Sequence, residues 1–119
     1  MLIALTVPDR LSSGILSAVE RGPNVLSVVS YWEVVIKQMK GKLDVGDPRV
    51  WWDGALNLLL ATPLPIRPGH VAGLWELLAI HQDPFDRMLV SQATAEDLTL
   101  VTMDAVIAGY GSKALSVLS

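Results

Sequence analysis

The feature that most constrains how this chain can fold is an alternation. Short apolar, β-branched runs, "NVLSVVS", "TLVTM" and "ALSVL", are separated by longer segments whose apolar residues recur at helical spacing. Strands alternating with helices predict an α/β domain with a mainly parallel sheet. The spacing predicts a helix over 11–20 that stops at Gly22-Pro23, then a strand over 24–30 that feeds a helix starting at Ser30 and running to Gly41. A second helix is entered at Asp47-Pro48, "PLPI" is a short extended piece, and "GHVAGLWELLA" is helical. A helix over 83–96, a strand at 99–103, a turn after Asp104 and a strand at 114–118 complete the chain. The opening "MLIALTV" reads equally as strand or helix. With 119 residues and no linker or repeat, the chain is expected to form one domain over 1–119.

Charged residues make up 18% of the chain against about 25% in ordinary soluble domains, while hydrophobic residues reach 51%. Apolar surface should therefore be left over once the core is filled, which implies self-contact, most simply a homodimer. The absence of cysteine excludes disulfides and thiolate chemistry and fits a reducing, cytoplasmic setting. "MLIALTVPDR" lacks the basic flank and length of a signal peptide, and the apolar stretches are too short and Pro-broken to span a bilayer. No membrane role is expected. A net charge of −3 gives no global attraction for nucleic acid, so any such contact must be local. The basic cluster Lys37, Lys40, Lys42 and Arg49 reads first as a solvated helix end.

The acids carry the chemistry. Asp83-Pro84-Phe85-Asp86 has the form of a helix start, with Asp83 as N-cap and Asp86 in the first turn. Stepping about 100° per residue, however, sets Asp86 in an apolar arc with Phe85, Met88 and Leu89, while Arg87, Ser91 and Thr94 face outward. A carboxylate aimed at a core is protonated, bonded to amides or bound to a cation, so Asp86 reads as either cap or ligand. Ser30-x-x-Glu33 reads as a capping box, with Lys37 as an i,i+4 ion pair for Glu33. Asp104 follows a strand and would cap the next turn. Yet Glu33 and Asp104 both fall just past the carboxyl ends of predicted strands, where open α/β sheets build their sites. If the three acids converge, hard oxygen donors without His or Cys suit Mg²⁺ or Mn²⁺ and phosphodiester chemistry.

His70 and His81 read as solvated or hydrogen-bonded side chains rather than ligands. The four tryptophans lie on predicted helices, where core packing is the first reading, although adjacent Trp51 and Trp52 cannot both face one core.

"SYWEVVIKQMKGKL", "HQDPFDRMLVSQA" and "LTLVTMD", in that order and spacing, resemble the PIN-domain nucleases, specifically the VapC-type toxins of bacterial toxin–antitoxin pairs. The resemblance implies an α/β/α sandwich and a quartet of acids that bind Mg²⁺ or Mn²⁺ to hydrolyse RNA, with a small antitoxin as inhibitor. Carried over by motif, Glu33, Asp86 and Asp104 are three of the four catalytic and metal-binding acids, and Ser30 and Asp83 are supporting or capping residues. The fourth acid, an aspartate closing the family's first strand, has no counterpart, because "MLIAL" resembles the portion just after it. The expectation is then a first central strand cut short, through either a true start upstream of Met1 or a degraded toxin that binds its partner without cleaving RNA.

Overall fold

A computed structural model describes residues 2–3, 23–77, 83–101 and 117–118. The strands are β1 (Leu2–Ile3), β2 (Asn24–Ser27), β3 (Ala61–Leu64), β4 (Leu100–Val101) and β5 (Val117–Leu118). The described helices are α1 (Val28–Met39), α2 (Pro48–Leu59), α3 (Pro68–Gly73), which continues as a 3₁₀ turn at Leu74–Glu76, and α4 (Pro84–Ala95). The strands form one sheet in the order β3-β2-β1-β4-β5, and every pairing is parallel. The expected α/β class and parallel sheet are therefore present. The order reverses at β1, which pairs Leu2 with Val25 on one side and with Leu100 on the other. In open α/β sheets this switch point is where ligands bind, outside the carboxyl ends of the strands. The opening segment is thus a strand at residues 2–3, and it takes the central place. The expected helix over 11–20, the turn after Asp104 and His81 lie outside the described residues.

β2 passes into α1 without a loop. The sequence pattern suggests a strand up to Ser30, but the strand ends at Ser27, whose extended backbone (φ −72°, ψ 142°) and hydroxyl, accepting from the Val29 amide, start the helix. Ser27 is therefore the N-cap. Ser30 lies inside the first turn, and the expected Ser30–Glu33 capping box does not form. Periodicity misses this because Val28 and Val29 are β-branched and suit either state.

Two helices end in the same way with different residues. After α1, Gly41 (φ 71°) donates to Gln38 O and Lys42 to Lys37 O. After α4, Asp97 (φ 52°) donates to Thr94 O and Leu98 to Ala93 O. Both are Schellman ends, with the residue after the cap in the left-handed region. β3 lies at the sheet edge, where Pro63, opposite Leu26, sacrifices no ladder bond toward a neighbour.

The core joins β2, α1, β3, α4 and β4 through Val29, Leu64, Met88, Leu89, Val90, Ala93 and Leu100, with Val25, Leu74, Leu77, Phe85 and Leu98 packed against it. No tryptophan belongs to this buried set: Trp32 and Trp75 are exposed, and Trp52 stacks on Tyr31 with ring centroids 4.9 Å apart. Ser91, expected to face outward, is buried, because α3 covers that side of α4 and the Ser91 hydroxyl donates to His70 O at 2.6 Å. Gly73 permits this approach, since a Cβ there would lie 2.5 Å from Ser91 Oγ.

The paired helix ends predict opposite effects. Gly41→Ala adds a methyl with nothing within 4 Å but at positive φ, so it should cost about 1 kcal/mol. Asp97→Gly relieves the same conformation and should gain roughly 0.5 kcal/mol. Urea denaturation of the two variants beside the parent chain measures both.

Candidate active site

Helices α1 and α4 cross in opposite directions, and two contacts fix their register. Ser27 Oγ donates to Gln92 Oε1 at 2.5 Å. One turn and a half further along α1, the ring of Trp32 meets that of Phe85 edge to face, with centroids 4.8 Å apart and planes at 80°. Advancing along α1 therefore means retreating along α4, from Gln92 toward its start. Glu33, next to Trp32, and Asp86, next to Phe85, come to the same end of this helix pair. Both carboxylates are buried, at 2% and 3% exposure.

Each acid is placed by its helix. The buried side of α1 is Val29, Ser30, Glu33 and Val34, so the turn that buries Val29 also buries Glu33. Lys37 Nζ lies 2.9 Å from Glu33 Oε2, the expected i,i+4 pair, and its positive charge offsets part of the cost of burying that carboxylate. On α4 the capping is done by Asp83, whose Oδ1 accepts from the amides of Phe85 (2.8 Å) and Asp86 (3.3 Å). With that role taken, Asp86 is placed by its inward angle and by the positive end of the helix dipole. Asp104 lies outside the described residues, three positions along the sequence from the end of β4. Among the described residues no three His, Cys, Asp or Glu side chains gather closely enough to hold an ion. Within them the candidate acids are Glu33 and Asp86.

Ser30 adds an oxygen to this end of the interface. It is fully buried, three residues before Glu33 on the same face, and its hydroxyl has no hydrogen-bond partner among the described residues. A buried polar atom in that state costs about 1–3 kcal/mol unless a water or ion meets it. Two buried carboxylates and such a hydroxyl, all hard oxygen donors, fit a divalent cation of the Mg²⁺ or Mn²⁺ type.

A second set of polar groups holds the helices in this register, and sequence pattern alone does not reveal it. Gln92 is fully buried on α4; its Nε2 lies 3.3 Å from both Pro65 O and His70 Nδ1. His70 Nδ1 accepts from the Arg67 amide at 3.0 Å, so the ring proton sits on Nε2, which donates to Glu96 Oε1 at 2.8 Å. Arg67 Nη1 reaches the same oxygen. His70 is thus hydrogen-bonded and buried rather than solvated. The hydrogen bond from His70, then that from Arg67, holds the Glu96 carboxyl below its ordinary range. The one sequence signal was a glutamine inside the apolar arc of the α4 pattern, which a core admits only when its amide is satisfied.

The parallel sheet winds in both directions from β1, and two helices packed beside it each carry a buried acid, Glu33 and Asp86. The chain belongs to the PIN-domain family, whose profile it matches over residues 1–112. PIN domains are generally nucleases and typically use divalent metal ions. No curated protein sequence matches the chain. No described helix is long and apolar enough to cross a membrane.

The sign of the Glu96 effect sets a pH dependence. A carboxyl held below its ordinary value of 4.5 contributes stability that is present above that pH and is lost as pH falls through the lowered folded value. Glu96→Gln should therefore be less stable than the parent at pH 7, with the gap closing below about pH 4.5. Thermal melts of both proteins across pH 3–7 check this; a gap that widens in acid would contradict the assignment.

Proposed function

We propose that this chain is a Mg²⁺- or Mn²⁺-dependent endoribonuclease of the VapC toxin type, acting on RNA phosphodiester bonds and neutralised by a cognate antitoxin. The observation that carries this reading is the pair of buried carboxylates, Glu33 and Asp86, at one end of the α1–α4 interface in a PIN-domain chain. Glu33, Asp86 and Asp104, which follows β4 by three positions in the sequence, would hold the ion. When bound, the ion supplies positive charge beside the phosphate and acidifies the attacking water. The chain's own contribution is placement. Asp83 and Ser27 hold the helix starts, Lys37 offsets the charge of Glu33, and the Ser30 hydroxyl offers a hydrogen bond to water or to a carboxylate at the site. The high apolar fraction and the exposed Val50, Leu58 and Leu60 support a homodimer.

One observation favours a second reading, a PIN module that binds antitoxin or its own copy and cleaves little. The described part of the central strand β1 is Leu2–Ile3, and the sequence after it, Ala4 to Pro8, holds no carboxylate of the kind that the resemblance calls for. Three acids hold a divalent ion less tightly than four and orient water less well, and lost positioning costs roughly 100-fold or more in rate.

Cleavage of a mixed RNA pool by the purified chain, with and without Mn²⁺ and with excess chelator, tests the first reading. Metal-dependent cleavage, lowered at least about 100-fold by Asp86→Asn and by Glu33→Gln, is expected. Cleavage that persists in both variants, or that ignores the chelator, contradicts it. Antitoxin binding with no cleavage selects the second reading.

A further inference from the structure

Beside the acids stands an aromatic ring that the core does not use. Trp32 is 48% exposed although it is the chain neighbour of the buried Glu33. Its ring is nevertheless held, edge to face, by Phe85, the chain neighbour of the buried Asp86. The other aromatic surfaces are not equivalent. Trp52 has its face covered by Tyr31, and Trp75, 93% exposed, lies on the 3₁₀ turn after α3, on neither of the helices that carry the acids. Trp32 alone among these combines a fixed ring, open surface and adjacency to both carboxylates.

We propose that Trp32 is the platform on which one unpaired base of the substrate stacks, next to the phosphate presented to Glu33 and Asp86. This rests on the ribonuclease reading above and specifies its substrate as single-stranded at that position. Edge-to-face contact with Phe85 orients the indole in advance, so little rotamer freedom is lost when a base arrives. A base in a duplex has both faces covered by its neighbours and cannot take the same place without unstacking. The charge of the chain raises the weight of this contact. At −3 net there is no broad basic field to hold an RNA backbone, so affinity depends on local groups. Stacking is one, and it tolerates any base because each has a π-face. Lys40, the exposed C-cap of α1, lies about 12 Å along the axis and roughly 80° around it from Trp32, within reach of a phosphate of the strand that leaves the platform.

The test measures binding on the Asp86→Asn chain, so that cleavage does not enter, using fluorescence anisotropy of short labelled homopolymeric oligoribonucleotides in Mg²⁺. Trp32→Ala should weaken single-strand binding about 5- to 100-fold. Trp32→Phe, which keeps a ring against Phe85, should restore most of it. Oligonucleotides with one abasic residue scanned along the strand should lose affinity for the Asp86→Asn protein at one position, and at that position the additional Trp32→Ala change should cost nothing more. Unchanged affinity in Trp32→Ala, or abasic and Trp32→Ala losses that simply add, would overturn the proposal while leaving the nuclease reading intact. A shift in oligomeric state with unchanged RNA affinity would make Trp32 a protein-contact residue and overturn it too. If the Asp86→Asn protein binds no single strand and the parent cleaves none, the nuclease reading itself fails and takes this one with it.

Discussion

The hydrogen bond from Ser27 to Gln92 is the constraint on which the rest of the site depends. Ser27 ends β2, caps α1 by accepting from the Val29 amide, and uses its own proton to reach a glutamine buried in α4. One hydroxyl thereby ties the direction in which α1 leaves the sheet to the helix that crosses it. Without such a tie, two helices packed through aliphatic side chains could slide by a turn at small cost, since Val29, Leu89 and Val90 offer no directional contact. Gln92 fixes the register because its amide is spoken for on every side, by Ser27, Pro65 and His70. The Arg67–Glu96 ion pair and the hydrogen bond from His70 to the same carboxylate anchor that arrangement at the far end of α4.

The consequence is electrostatic. Antiparallel α1 and α4, locked at Ser27–Gln92, bring Glu33 and Asp86 to one end and bury both. Burying a carboxylate costs stability, and the Lys37 ammonium beside Glu33 Oε2 offsets part of that cost. Two buried carboxylates on facing helices are a pattern expected where buried charge serves binding or chemistry. The second polar cluster, around His70, has the opposite character. Its donors and acceptors match within the chain, so it supports the fold and offers a ligand nothing.

Much of this was legible in the sequence, for identifiable reasons. Alternating strand and helix signals give the parallel α/β class, and the prolines at positions 48 and 84, each preceded by aspartate, mark the starts of α2 and α4 correctly because Pro at the first helical position and Asp at the cap act locally. The inward angle of Asp86 and the Glu33–Lys37 pair were also readable from helical spacing. What could not be read depended on tertiary contact. The helix start moved from Ser30 to Ser27 because a serine that both caps and reaches Gln92 outweighs the β-propensity of Val28 and Val29. Ser91 turned inward because α3 lies over it, with Gly73 giving room. The tryptophans left the core because α4 fills that space with Met88, Leu89, Val90 and Ala93.

The central claim is that Glu33 and Asp86 share one divalent ion site. The most direct measurement is anomalous diffraction at the manganese edge from crystals of the chain grown with Mn²⁺. The account predicts a peak within coordination distance, about 2.0–2.3 Å, of a carboxylate oxygen of Glu33 or Asp86, with the other acid reaching the same ion directly, through water or through a second ion about 4 Å away. Manganese bound elsewhere, or the two carboxylates more than roughly 10 Å apart with no ion between them, would contradict it.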